Sequence, residues 1–162
     1  IGALKRAVPA LVGVKVPGGD AAWYADMRAH CADISVFIPG HHLATGYREG
    51  AAGAYSNVAC LHPVGAQRWY EQMRVDLPAA LELEGRIRRY FDAYITPYIT
   101  QQGYPNGAVD KLLSVIGGWA RIGARLRLPY RWIDDTEAAR LRAIAAQAIP
   151  EILCIEGGAA AV

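Results

Sequence analysis

The spacing of apolar residues changes near residue 63. Before it, short runs rich in β-branched residues end in turn signals such as Pro-Gly, a pattern typical of strands buried on both faces. These runs predict strands at 11–16, 34–38 and 54–59. Helical segments are predicted between them at 21–30 and 42–49. The alternation predicts a parallel βαβαβ unit.

After residue 63 the apolar residues recur at steps of three and four, which predicts a helical region. The expected helices are one around Trp69, a long one over 77–98, one over 108–119 and a final one over 137–149. A complete (β/α)8 barrel needs eight strands and about 250 residues. Three strands and a helical region therefore predict an α/β fold, the C-terminal part of a (β/α)8 TIM barrel with a helical C-terminal extension.

Two units are predicted, a partial barrel over 1–63 and a region over 64–162 containing the last barrel helix and the extension. The sequence opens without Met in the apparent tail of a helix, so we expect it to be part of a longer protein.

Composition places the 162 residues in the globular class, with 53% hydrophobic and 20% charged residues. A net charge of +2 gives no reason to expect nucleic acid or an anionic membrane as a partner. No apolar run reaches the roughly 18 residues of a membrane helix, and no signal peptide is evident, so a cytoplasmic location is expected. Four arginines lie between residues 121 and 131, so nucleic-acid binding is kept as a further hypothesis behind the two that are given at the end of this subsection.

Cysteines and histidines give no metal or disulfide pattern. Cys31, Cys60 and Cys154 are odd in number and far apart, so we interpret them as buried apolar residues or bystanders. His41 and His42 are adjacent, and no H-x-x-x-H or carboxylate spacing accompanies them. No metal and no cofactor are predicted.

Lys15 is the first candidate for chemistry. It interrupts an apolar strand at its C-terminal end, the edge where ligands gather in parallel α/β folds. In an apolar setting the neutral amine is favoured, and a neutral amine can attack a carbonyl to form a Schiff base. The alternative is a structural lysine whose ammonium reaches water at the strand end.

Several short motifs follow one another in a specific order. They are Val12-Gly13-Val14-Lys15, Ser35-Val36-Phe37-Ile38-Pro39-Gly40, Ala54-Tyr55-Ser56 with Pro63, Tyr104-Pro105-Asn106 with Lys111-Leu112-Leu113, and Arg127-Leu128-Pro129-Tyr130. This series, over about residues 8–150, resembles the C-terminal half of the dihydrodipicolinate synthase and N-acetylneuraminate lyase family of class I aldolases.

The resemblance implies a homo-oligomeric lyase or aldolase, a tetramer or dimer, that acts on pyruvate or a related 2-oxo acid or sugar acid. Lys15, on the sixth barrel strand, would form an imine with the ketone. Gly40, after the seventh strand, would let substrate approach the backbone. Tyr55, on the eighth, would lie beside the lysine.

This chain also departs from the family pattern. His41 and His42 stand where the synthases commonly have two aspartates, and Cys60 replaces an asparagine. We therefore expect different pocket chemistry, with His41 or His42 contacting the distal end of the substrate; the alternative is a capping or surface role. The family's Thr-Thr motif and catalytic tyrosine lie on earlier strands, outside this sequence.

Two classes of function remain open from the sequence. The leading hypothesis is a Schiff-base lyase or aldolase of which this chain carries the lysine half. The alternative is a non-catalytic half-barrel that acts as an assembly or interaction unit.

Overall fold

A computed structural model describes residues 2–154. Three strands form one sheet: β1 (Gly13–Lys15), β2 (Ser35–Pro39) and β3 (Gly53–Tyr55). Four helices accompany them: α1 (Gly2–Ala7), α2 (Ala21–His30), α3 (Leu43–Glu49) and α4 (Asn57–Leu61). The remaining helices are α5 (Pro63–Val75), α6 (Leu77–Tyr90), α7 (Thr96–Thr100), α8 (Asn106–Gly117) and α9 (Asp135–Ala148).

The sheet is parallel throughout, with the strands in the order β1-β2-β3. Lys15 lies opposite Phe37 in the first pair, and Pro39 lies opposite Tyr55 in the second. The predicted α/β fold with three adjacent parallel strands is therefore confirmed. The division into two units at residue 63 stays a prediction, and residues 155–162 of the second unit lie outside the described residues.

The third strand is shorter than predicted. Ser56 adopts an extended backbone and its hydroxyl accepts a hydrogen bond from the backbone N–H of Ala59. A serine in this position caps a helix, so residues 57–61 form α4 instead of continuing the strand.

The predicted helix over 77–98 is interrupted. After α6 the chain forms a π-helical segment, Phe91–Ile95, before α7 begins. A π-helical turn accommodates an extra residue within a helix. Phe91 and Ile95, the first and last residues of the π-helical segment, are both buried.

One face of the sheet packs on helices and the other does not. Val36 and Ile38 are buried with Tyr24 and Met27 of α2 in a small core. Phe37, on the opposite face, keeps 39% of its surface exposed. Within residues 2–154, β1 and β3 each pair on one side only.

The larger core is formed mainly by helices α4 to α9, here called the helical region. A buried carboxylate connects this core to the three strands with helices α1 to α3, here called the sheet unit. Glu84 of α6 is 2% exposed and accepts hydrogen bonds from the backbone N–H and the hydroxyl of Thr45 in α3. A buried carboxylate is costly unless it is hydrogen-bonded, so this contact fixes α6 against α3.

The paired glycines that end α8 have separate structural roles. Gly118 has φ +66° and ends the helix in the left-handed region. A Cβ atom on Gly117 would collide with the carbonyl oxygen of Leu61 in α4. Close packing of α8 on α4 therefore requires glycine at 117.

We expect Gly117→Ala to lower the free energy of unfolding by about 1–3 kcal/mol, because the added methyl overpacks a backbone contact. The matched control is Gly107→Ala in the first turn of the same helix, where a Cβ would meet open space. That change should be neutral or stabilising by about 0.4–1 kcal/mol. Equal urea midpoints for the two variants would contradict the packing argument.

Candidate functional site

A cavity of about 450 Å³ lies between the sheet unit and the helical region. Lys15, Pro39 and Tyr55 line it at the C-terminal ends of the three strands. Phe91 and Asp110 line it from the helical side. The carboxyl edge of a parallel sheet is where α/β proteins bind ligands.

Strand alternation directs Lys15 into this cavity. Its neighbours Val14 and Val16 pack against the core that contains α2, and the side chain of Lys15 lies on the other face of the sheet. Lys15 is exposed, so the described residues do not provide the apolar enclosure expected for an amine that reacts in its neutral form.

Tyr55 lies beside Lys15, as the resemblance implied. The Nζ atom of Lys15 is 4.0 Å from the centroid of the tyrosine ring, within the range of a cation–π contact. The hydroxyl of Tyr55 donates a hydrogen bond to the carbonyl oxygen of Val16 at 3.2 Å. This bond ties the tyrosine of β3 to the end of β1 and holds its ring in place beside the amine.

Gly40 is required by chain packing. A Cβ atom at this position would lie 2.5 Å from the hydroxyl oxygen of Ser56 and 2.9 Å from Oδ1 of Asn57. The start of α4 therefore surrounds Gly40. The role of Gly40 in letting substrate approach the backbone, which the resemblance implies, stays a prediction.

The two histidines face different cavities. His41 lines the Lys15 cavity and stacks on Phe91, with ring centroids 5.4 Å apart and an interplanar angle of 7°. His42 lines a separate cavity of about 200 Å³ with Thr45 and Arg88. The sequence treated the two residues as equivalent, but His41 alone of the pair lines the Lys15 cavity.

Asn57 holds His41 at two points. Its Oδ1 accepts a hydrogen bond from the backbone N–H of His41 at 3.1 Å, and its Nδ2 lies 2.8 Å from Nδ1 of the imidazole. Sequence reasoning missed Asn57 because it placed the residue within a strand. The available signal was Ser56 directly after an apolar run, a helix N-cap pattern that would have put Asn57 at the start of a helix.

Two further polar groups in the cavity were not predicted as site residues. The surrounding protein raises the pKa of the Asp110 carboxyl by burial, an effect partly opposed by the positive charge of Lys15. Cys60, for which the sequence left open a buried small residue and a pocket thiol, also lines the cavity. Burial, and then the charge of Asp110, raises the pKa of its thiol.

Among residues 2–154, no group of three or more His, Cys, Asp or Glu side chains is arranged to hold a metal ion. None of the described helices is both long enough and apolar enough to cross a bilayer.

A parallel sheet with a layer of helices and a cavity at its carboxyl edge is the arrangement of α/β folds, barrels included. Comparison with solved structures identifies the fold as part of a barrel. A protein assigned to the dihydrodipicolinate synthase family from Coccidioides immitis is 20% identical with a TM-score of 0.69, over 96% of this chain and 51% of its own. No family model and no curated protein matches the sequence.

Two other structures extend the comparison. A prophage protein of the dihydrodipicolinic acid synthase family from E. coli K12, solved with pyruvate, is 17% identical with a TM-score of 0.67, over 91% of this chain and 49% of its own. A Sulfolobus 2-keto-3-deoxygluconate aldolase, solved with D-KDPG, is 16% identical with a TM-score of 0.70, over 97% and 52%. The chain thus spans about half the length of these proteins, and the fold implied by the resemblance is confirmed.

The histidines of the site predict a pH dependence of stability. Burial lowers the pKa of His41, as does the adjacent His42, and burial followed by the charge of Arg88 lowers the pKa of His42. Below the ordinary histidine pKa of about 6.5, the unfolded chain therefore binds more protons than the folded one. The free energy of unfolding should fall as pH drops from about 7.5 to about 5.5.

Urea unfolding across this range checks the effect. His41→Gln should flatten the slope of stability against pH, because it removes one of the partly buried titrating rings. Gln102→Ala, which changes an exposed residue without a titratable side chain, is the control and should leave the slope unchanged. An identical slope in His41→Gln and the unsubstituted chain would contradict the interpretation.

Proposed function

We propose that this chain is the lysine-bearing half of a Schiff-base lyase or aldolase that acts on pyruvate or a related 2-oxo acid or sugar acid. The observation that carries the proposal is the position of Lys15. Its Nζ lies 4.0 Å from the Tyr55 ring in a cavity at the carboxyl edge of the sheet. Further support comes from the fold that the chain shares with part of an aldolase and of a protein solved with pyruvate.

The chemistry assigns the bond-forming step to Lys15. Its neutral amine attacks the ketone carbon, and the resulting carbinolamine loses water to give an imine. Protonation of the imine nitrogen creates an electron sink. The electron pair of a breaking carbon–carbon bond can then move into the imine and form an enamine, and the reverse movement forms the bond.

The other requirements of the reaction belong to the whole protein. By resemblance, the groups that grip the substrate carboxylate and transfer protons lie on strands outside this sequence. We therefore propose imine formation for this chain and turnover for an assembly that supplies those groups. A homo-oligomeric state and a cytoplasmic location are part of the proposal and rest on the resemblance and on the sequence.

Reductive trapping tests the role of Lys15. The chain contains three lysines, Lys5, Lys15 and Lys111. Incubation with pyruvate and borohydride should fix an adduct preferentially on the peptide that contains Lys15, as measured by peptide mass spectrometry. Lys15→Arg should abolish that adduct, because a guanidinium stays protonated and does not add to a carbonyl.

Lys111→Arg is the matched control. Lys111 donates a hydrogen bond to the carbonyl oxygen of Arg125 and lies outside the residues that line the cavity, so its replacement should leave trapping at Lys15 intact. Labelling spread evenly over the three lysines, or total labelling that survives in Lys15→Arg, would overturn the assignment.

The uncovered sheet face favours a second candidate function, that of an assembly unit. An exposed aromatic residue between strand edges that pair on one side only is a surface suited to association with another chain. On this alternative the chain self-associates through that face, and no lysine is trapped preferentially.

Sedimentation velocity measures the association. Phe37→Thr places a β-branched residue, which suits a strand, at this position and removes the aromatic surface, so it should shift the distribution toward monomer. Tyr130→Thr removes an exposed aromatic side chain outside the sheet and should not. A chain that is monomeric at all concentrations without substitution would exclude the assembly function.

A further inference from the structure

The contact between Asn57 and His41 fixes more than the position of the imidazole. The backbone N–H of His41 is 3.1 Å from Oδ1 of Asn57. A backbone N–H can only donate, so the atom facing it must be the amide oxygen. The amide nitrogen of Asn57 is then the atom that lies 2.8 Å from Nδ1 of the ring.

This orientation determines the tautomer of His41. The amide nitrogen is a donor with no acceptor capacity, so Nδ1 must accept and must be unprotonated. The single proton of the neutral ring therefore lies on Nε2. A proton on Nδ1 would set two donors against each other, and rotating the amide would move the same conflict to the backbone N–H. Burial, which lowers the pKa of His41, also favours the neutral ring.

Nε2 is the ring nitrogen left for a ligand. His41 lines the cavity that contains Lys15, and its ring is held between Asn57 and the stacked ring of Phe91. No hydrogen bond to Nε2 is formed within residues 2–154. The cavity wall therefore contains a neutral N–H donor with a fixed orientation.

We propose that Asn57 is a positioning residue that holds His41 as the Nε2–H tautomer, so that His41 donates a hydrogen bond to an oxygen atom of the substrate in the Lys15 cavity. This inference rests on the proposed function and narrows its substrate. The preferred 2-oxo acid carries a hydroxyl or carbonyl oxygen beyond the reacting ketone. An ammonium group at that position would place a donor against a donor.

The charged and titratable groups around His41 are His42, which is the next residue in the chain, Arg88 on α6 and Asp92 in the π-helical segment. His42 and Arg88 oppose protonation of His41, and Asp92 favours it. Asn57 differs from all three because it contacts Nδ1 directly and so acts on the choice of tautomer.

Two-bond proton–nitrogen correlation spectra of the full 162-residue chain test the positioning role. Near neutral pH, His41 should show the pattern of the Nε2-protonated neutral ring. Asn57→Asp replaces the donor at Nδ1 with an acceptor, so it should move the proton to Nδ1 and raise the titration midpoint of His41.

Asn106→Asp is the matched control, because Asn106 lines the same cavity and the substitution introduces the same charge. It should leave the tautomer unchanged. A ring protonated on Nδ1 in the unsubstituted chain, or the same tautomer change in both variants, would overturn the proposal. If Asn57→Asp does not fold, the spectra of the unsubstituted chain still test the proposal, because they show which nitrogen of His41 carries the proton.

Trapping tests the donor role separately. The rate of adduct formation at Lys15 is compared for 2-keto-3-deoxygluconate and pyruvate, in the unsubstituted chain and in His41→Phe. Loss of one hydrogen bond should lower the ratio of the two rates roughly 2- to 10-fold. An unchanged ratio would overturn the donor role. Absence of any Lys15 adduct would instead overturn the proposed function, and the tautomer would still be decided by the spectra.

Discussion

The hydrogen bonds between Glu84 and Thr45 are the constraint on which the arrangement of the site depends. Glu84 is a carboxylate in the interior, and its partners are the N–H and the hydroxyl of a single residue in α3. Loss of either hydrogen bond would leave the buried carboxylate without a full set of partners. This costs far more free energy of folding than the loss of a contact at the surface. These hydrogen bonds therefore prevent α6 from sliding along α3.

The position of α6 in turn sets one wall of the cavity. The π-helical segment that begins at Phe91 continues directly from α6, and Phe91 lies under the ring of His41. His41 follows β2 and is held by Asn57 at the start of α4. The sheet unit and the helical region therefore meet at a stacked pair of rings, and a shift of α6 would separate them.

Local signals were sufficient to predict most of the fold. Asp20, Asp76 and Asp134 each precede an apolar periodic segment, which is a helix N-cap pattern, and each accepts a hydrogen bond from a backbone N–H at the start of a helix. The strands were found because their apolar runs are short and bounded by Pro and Gly. The end of β3 was missed because Val58 and Ala59 continue the apolar run, although Ser56 had already begun a helix.

Only part of the site could be predicted from the sequence. Lys15 was found from its position at the end of an apolar strand, and Tyr55 was given by the family resemblance. In the structure, alternation along β1 and the parallel register bring the two side chains together. Asp110 reaches the same cavity from α8, after the chain has folded back across several helices, and no local pattern reports such a contact. The separation of His41 from His42 depends on which of two adjacent cavities each ring enters, and this is likewise a tertiary property.

The π-helical segment also affects how this chain aligns with proteins of similar structure. One residue inserted into a helix of 3.6 residues per turn rotates everything after it by about 100° relative to an unbroken helix. Thr96, Ile99 and Thr100 follow the segment and line the cavity, so their direction depends on that extra residue. A barrel whose corresponding helix lacks the insertion would need a gap in mid-helix to be aligned correctly. Alignments that forbid gaps inside helices would therefore pair the cavity residues of one protein with outward-facing residues of the other.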